Sequence, residues 1–338
     1  MTNSSTTIEF GKDKERESNF ELLRIIAMFF IVLYHLLLFF VTEEDNNVLY
    51  RAAYLPLHVA VICFVLISGY FHITPSVKGI AKIILPLLIF YIPLTIYEWC
   101  SENYGGGRNL LFISQSPYWF VRTYLYLYLV APMLNAYLTS RNHRTYMLLV
   151  LGGISVYMGM MHDKSLEDGK NLTLFMFIYV IGDYIHNYIE KIKRFKTSYL
   201  AGLYILLNIV IIGIYITFHA TWIGKVIWKL SFPYCSPILI LNAVLLFIVF
   251  SRMSFQSKTV NWMSSSVFSI YILHHQHFIL YHVVGPLTMQ VYGLSQTPIF
   301  VISMLALQTA VLMIVFILTD KLSMPLQKAA LRLCGCEK

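Results

Sequence analysis

Residues 20–41 read FELLRIIAMFFIVLYHLLLFFV, and this stretch decides the fold. A helix needs about 20 apolar residues to cross a bilayer. Phe20–Val41 supplies that length while still carrying Glu21, Arg24 and His35. Arg24 and His35 are eleven residues apart. Eleven helical steps of about 100° come to roughly 1100°, within about 20° of three full turns, so both side chains share one face, separated by a rise of about 16 Å. One face therefore places a guanidinium near one membrane surface and an imidazole near mid-depth. Ionisable groups at that depth are costly and face a cavity or a partner, which marks this face as functional.

The rest of the chain repeats the apolar pattern. Of its 338 residues 58% are hydrophobic and only 12% are charged, and mean hydropathy is +0.66. A soluble domain carries roughly twice that charge. Further apolar runs fall at roughly 53–72, 79–99, 118–138, 146–161, 172–188, 199–218, 237–250, 262–283 and 298–319. The expected fold is all-α and polytopic, with about ten transmembrane helices in one domain (19–322) between polar tails at 1–18 and 323–338. No small-residue cleavage motif follows the first run, so it reads as a retained helix and not as a signal peptide. Residues 220–237, aromatic with scattered polar groups, read as a half-helix or lid on the outer surface.

Basic residues test this arrangement. With a cytoplasmic N-terminus, 18 of the 25 lysines and arginines fall on the inner side and 7 on the outer. That bias supports an even number of crossings and two cytoplasmic termini. The net charge of +8 does not imply nucleic acid, because the basic residues are spread over short loops and form no single patch.

Cysteine usage says little. Cys63 lies within a helix, and Cys100 and Cys235 fall on the outer side with nothing in the sequence to bring them together. Cys334 and Cys336 form a CxC without a nearby histidine, which is no zinc site by itself. His274, His275 and His277 are a stronger metal candidate. On a helix, however, they project at about 0°, 100° and 300°. No Asp, Glu or Cys accompanies them, so no metal is expected.

Shorter elements carry chemistry of other kinds. CFVLISGY (63–70) places Phe64 before the small pair Ser68-Gly69. A small pair permits close approach of a helix or of a ligand, and both readings stand. His58, earlier on that helix, reads as a bundle histidine. SVKGIAKIILPLL (76–88) sets Lys78 and Lys82 four apart on one helix face before Pro86. Lys78 reads as ordinary inner-surface charge. SPYWFVRTYLYLYLVAPMLN (116–135) places Arg122 near the outer surface among aromatics, which suits a sugar or carboxylate and equally suits snorkelling. SSSVFSIYILHHQHFILYH (264–282) carries Phe268, Tyr271 and His274.

Taken in order, these elements resemble the acyltransferase-3 family of integral membrane acyltransferases. The matching features are Arg, ten residues and His on the first helix, the aromatic run into Ser68-Gly69, basic residues before Pro86, Trp119-Phe120 before a Tyr/Leu run, and Phe268 to His274. Lys82 departs from the pattern, since many relatives place Arg there.

The resemblance implies a multi-pass acyltransferase of a bacterial plasma membrane. It would move an acyl group, acetyl foremost, from acyl-CoA on the cytoplasmic side to a hydroxyl of a cell-surface or exported glycan or glycolipid. Acetyl-CoA is then a substrate, no cofactor is permanently bound, and other polysaccharide-synthesis proteins are the expected partners. Histidine is the usual general base near neutrality, and Arg and Lys hold phosphate. His35 and Arg24 are thus the expected catalytic residues. Arg24, Lys82, Glu21 and Ser68 are expected to hold the donor, with Glu21 orienting Arg24 across an i,i+3 pair. Trp119, Arg122, Tyr271 and His274 are expected to meet the acceptor. A transporter or flippase using buried Arg and His as coupling groups is the competing reading. No internal repeat or pair of matching interrupted helices supports it. A scaffold for polysaccharide synthesis is a third reading.

Overall fold

The computed structural model describes residues 16–102, 118–158, 169–192, 194–333 and 335. The N-terminal tail before Arg16, the connections at 103–117 and 159–168, and Cys334 and Cys336 lie outside the described residues. All regular structure among the described residues is helical.

Local chemistry explains most helix boundaries. The first helix, α1 (Ser18–Leu36), runs on through a π-helical turn at Leu37–Val41. Thr42 Oγ1 closes that end by donating to the Leu38 carbonyl at 2.9 Å. Asn47 caps α2 (Val48–Leu57) by accepting from the Leu49 N–H at 2.9 Å. Pro56 lies near the end of α2. Proline lacks an N–H and crowds the carbonyl four residues back. The continuous helix expected over 53–72 accordingly divides at His58 into α2 and α3 (Val59–Phe71). Ser76 caps α4 (Val77–Pro86), which continues through a π-helical turn into α5 (Ile92–Glu102). Next come α6 (Trp119–Tyr137), α7 (Arg141–Gly152), α8 (Leu172–Ile192), α9 (Thr197–Phe218) and α10 (Trp222–Ser231). In α11 (Pro237–Ser251) Ser236 caps the start and proline takes the first position, where its missing N–H costs nothing. Last are α12 (Lys258–Ser264), α13 (Val267–His275), α14 (Gly285–Gly293) and α15 (Pro298–Leu333).

Among the described residues six units are long and apolar enough to cross a membrane: Ser18–Val41, Val48–Phe71, Val77–Ser101, Leu172–Lys191, Thr197–Phe218 and Pro298–Leu333. The sequence suggested about ten. The remaining expected spans are shorter, more polar or interrupted: α11 is apolar but has 15 residues, and α6 carries Arg122 and Asn135 among its tyrosines. The run expected at 262–283 is not one helix. It breaks at Ser265–Ser266 and again at Gln276, whose backbone is extended (φ −67°, ψ 128°). The expected half-helix at 220–237 is α10, which packs on α9 and α11.

The core centres on α3, which packs against α1, α8 and α11. Its contact with α8 is backbone to backbone. A Cβ on Gly69 would sit 2.1 Å from the Tyr179 carbonyl oxygen, and one on Gly182 would sit 2.4 Å from that of Leu66. The start of α1 is tied to the distant α11–α12 region. Ser18 Oγ lies 2.9 Å from Asn261 Oδ1 and accepts from the Ser257 N–H at 2.9 Å, while Asn19 Nδ2 donates to the Phe250 carbonyl at 3.0 Å. These bonds fix which face of α1 turns inward. At the far end of the chain, Ser269 Oγ of α13 donates to Asp320 Oδ1 of α15 at 2.5 Å. Among the described residues no disulfide links Cys100, which is exposed, to buried Cys235.

Candidate active site

One face of α1 lines two cavities in succession. Glu21, Arg24, Met28, Ile31 and His35 recur at intervals of three and four, the spacing of a single helix face, and all border a cavity of about 500 Å³. One turn further on, Leu38 and Phe39 border a second cavity of about 320 Å³. His35 lines both, together with Tyr34, His58, Trp119, Tyr234 and His275. The imidazole thus stands where the cavities meet.

The larger cavity is cationic at the end away from His35. Arg16 and Lys82, both exposed, border it with Arg24. Glu21 is buried and pairs with the Arg24 guanidinium through Oε1. Its Oε2 accepts from Ser264 Oγ at 2.5 Å. The expected i,i+3 pair is therefore present, and a residue from α12 completes it. A carboxylate engaged on both oxygens holds Arg24 in one orientation while leaving guanidinium N–H groups for an anion.

Aromatic walls connect the cationic end to His35. Phe64 and Ser68 of α3 line the cavity, as do Phe120, Tyr124 and Tyr128 of α6 and Phe268 and Tyr271 of α13. Ser68 Oγ donates to the Phe64 carbonyl at 3.0 Å and lies 3.1 Å from the Tyr124 hydroxyl. The Ser68-Gly69 pair divides its work: Ser68 faces the cavity, and Gly69 lets α8 approach. The second cavity has Lys170 as its cation, 5.8 Å from the centre of the Trp119 ring. Phe232, Pro233 and Tyr234, which follow α10, also line it.

Three histidines converge at the junction. His35 Nδ1 lies 3.0 Å from His274 Nε2, and the His35 and His275 rings meet edge-on with centroids 4.6 Å apart. One ring nitrogen from each of the three lies within 4.8 Å of the others, a grouping able to hold a metal ion. The sequence placed His274, His275 and His277 on one continuous helix with no convergence on one ion; in the structure His274 and His275 of α13 converge with His35. The break at Gln276 turns His277 away, and its Nδ1 donates to Glu98 Oε1 at 2.6 Å. His35 from α1 takes the third place.

Most of the expected site residues come together. Glu21, Arg24, His35, Ser68, Lys82, Trp119 and Tyr271 all line the larger cavity. His274 lines neither cavity and stands behind His35. Arg122 also lines neither. On α6 it points about 300° from Trp119, whereas Phe120, Tyr124 and Tyr128 cluster at about 100–180°. The sequence reading missed Arg16, His58, His275 and Lys170 as cavity residues. His58 Nδ1 lies 2.6 Å from the Phe232 carbonyl.

A family model described as an acyltransferase domain matches residues 17–318. The chain belongs to the acyltransferase-3 family. No curated protein and no solved structure matches it. The family match runs from the residue before α1 well into α15, so it includes every cavity residue named above except Arg16. Membership in the acyltransferase-3 family, together with the six long apolar helices, makes this a membrane acyltransferase.

Proposed function

We propose that this acyltransferase-3 protein moves an acyl group, acetyl foremost, from acyl-CoA to a hydroxyl of a cell-surface or exported glycan or glycolipid. The observation that carries the reading is the position of His35, which borders both a cavity with a cationic far end and a second cavity beyond it. In this reading Arg16, Arg24 and Lys82 face the cytoplasm of a bacterial cell and hold the phosphates of the donor. The pantetheine arm lies along the aromatic walls, over the rise of about 16 Å from Arg24 to His35. The acceptor occupies the second cavity against Trp119 and Lys170. Arg122, on another face of α6, takes no part.

His35 then acts as general base. The acceptor oxygen attacks the thioester carbonyl carbon as its proton passes to His35. A C–O bond forms, the C–S bond breaks, and coenzyme A leaves as the thiol with the proton returned by His35. The test uses the purified chain and its His35→Ala variant in nanodiscs, with radiolabelled acetyl-CoA and a crude extract of envelope glycans. Label reaching glycan with the native chain but not with the variant is the expected result. Transfer by both would remove His35 from the chemistry. Acetyl-CoA that neither binds nor reacts with the native chain would overturn the reading.

A further inference from the structure

We infer that His274 is a positioning residue that sets the tautomer of His35, so that His35 presents Nε2 to the acceptor; the inference rests on the proposed role of His35 as base. His274 is 2% exposed and touches neither cavity. Its Nδ1 lies 3.0 Å from the Ile270 carbonyl oxygen, one turn back on α13. A carbonyl only accepts, so Nδ1 carries the proton. In a neutral imidazole the other nitrogen is then a bare acceptor. That nitrogen, Nε2, lies 3.0 Å from His35 Nδ1, so His35 Nδ1 donates, and the free lone pair of His35 is on Nε2.

The chain from the Ile270 carbonyl through His274 to His35 does for this base what a carboxylate does in a serine–histidine–aspartate triad. It holds the ring and keeps an acceptor on Nδ1 when Nε2 takes up a proton. It does so without a buried anion at membrane depth, where an isolated charge is costly. The end of α13 is pinned for this task. Glu98 of α5, itself buried, accepts from Gln276 Nε2 at 3.0 Å and from His277 Nδ1 at 2.6 Å, and Gln276 Oε1 accepts from the Ile279 N–H at 3.0 Å. A shared metal ion fits the pair less well. Two nitrogens on one tetrahedral zinc, each at about 2.0–2.1 Å, stand about 3.3–3.4 Å apart, wider than the 3.0 Å between His35 Nδ1 and His274 Nε2.

The experiment compares His274→Leu, His274→Gln and His35→Gln with the native full-length chain in nanodiscs. His274→Leu is expected to lower kcat by about 100-fold or more while the KM for acetyl-CoA stays within about twofold, as for loss of an orienting group. His274→Gln keeps an acceptor for His35 Nδ1–H and is expected to recover about tenfold of that loss. Nitrogen-15 spectra of histidine-labelled protein are expected to show His35 protonated on Nδ1 in the native chain and in His274→Gln. Native kcat in His274→Leu would overturn the inference, as would equal impairment of both variants with a raised donor KM. A stoichiometric metal in the native chain that His274→Leu releases would also overturn it. Should His274→Leu fail to fold, the native spectrum decides, and His35 protonated on Nε2 sinks the inference. An active His35→Gln removes the base reading and this inference together. An inactive His35→Gln beside a fully active His274→Leu removes this inference alone.

Discussion

Ser264 Oγ donates to Glu21 Oε2 at 2.5 Å although 243 residues separate them in sequence. Through this bond α12 fixes the carboxylate that holds Arg24. The cationic end of the larger cavity is therefore set by residues from both halves of the chain.

Glu21→Gln keeps the size of the side chain and removes its charge. A hydrogen bond to a charged group contributes about 1.5–3 kcal/mol, so Arg24 loses its fixed orientation. Under the proposed function the expected outcome is a KM for acetyl-CoA raised about tenfold or more, with a smaller change in kcat. Initial rates at varied donor concentration check it. An unchanged donor KM would mean that Arg24 needs no help from Glu21.

Ser68 and Gly69 are adjacent but should fail in different ways. Gly69→Ala drives a Cβ into the Tyr179 carbonyl, and backbone on both sides leaves little room to relax. Overpacking of this kind costs about 1–3 kcal/mol or more, so a lowered unfolding temperature and poor folded yield are expected. Ser68→Ala removes only the contacts to Phe64 and Tyr124. It should fold normally and weaken donor binding a few-fold. Thermal unfolding and donor titration, run side by side on both variants, separate the two effects.

Lys82 and Lys170 sit at different cavities. Under the proposed function Lys82→Ala raises the KM for the acyl donor about five- to tenfold and leaves the acceptor KM alone, while Lys170→Ala does the reverse, each losing about 1 kcal/mol of binding. Arg122→Gln is expected to change neither by more than about twofold. Steady-state kinetics with both substrates varied give the answer. A donor effect from Lys170→Ala would contradict the assignment of the second cavity to the acceptor.

Glu98→Ala leaves the Gln276 amide and His277 without the carboxylate they share. Stranding buried polar groups costs about 1–3 kcal/mol, and the end of α13 loses its anchor. The expected result is a clear fall in kcat with near-native donor affinity, because the histidine pair is displaced and the cationic end is untouched. Loss of donor binding instead would show that Glu98 supports the whole cavity.

Arg24, His35 and the pairing of Glu21 with Arg24 were legible in the sequence because a helix has a fixed period. Spacing along one segment dictates which side chains share a face and how far apart they stand. The apolar runs were equally local, and most of their ends fall within a few residues of the helix ends, but the breaks at His58 and Gln276 and the extension of α15 to Leu333 were not legible there. Residue order could not tell which histidine would meet His35. His274 and His277 differ by three positions on an apparently continuous helix, yet His274 reaches α1 and His277 does not. The extended backbone at Gln276 and the grip of Glu98 decide that.

The sequence by itself determined that this chain is a helical membrane protein with one chemically loaded face on its first helix. Hydrophobic length and helical periodicity suffice for that. Tertiary structure alone decided what that face looks onto: two cavities meeting at His35, a carboxylate pinned by Ser264, a histidine behind His35, and Lys170, not Arg122, lining the second cavity. Each depends on how helices far apart in sequence rotate against one another. That rotation is set by close backbone packing at Gly69 and Gly182 and by buried hydrogen bonds, which no single segment encodes.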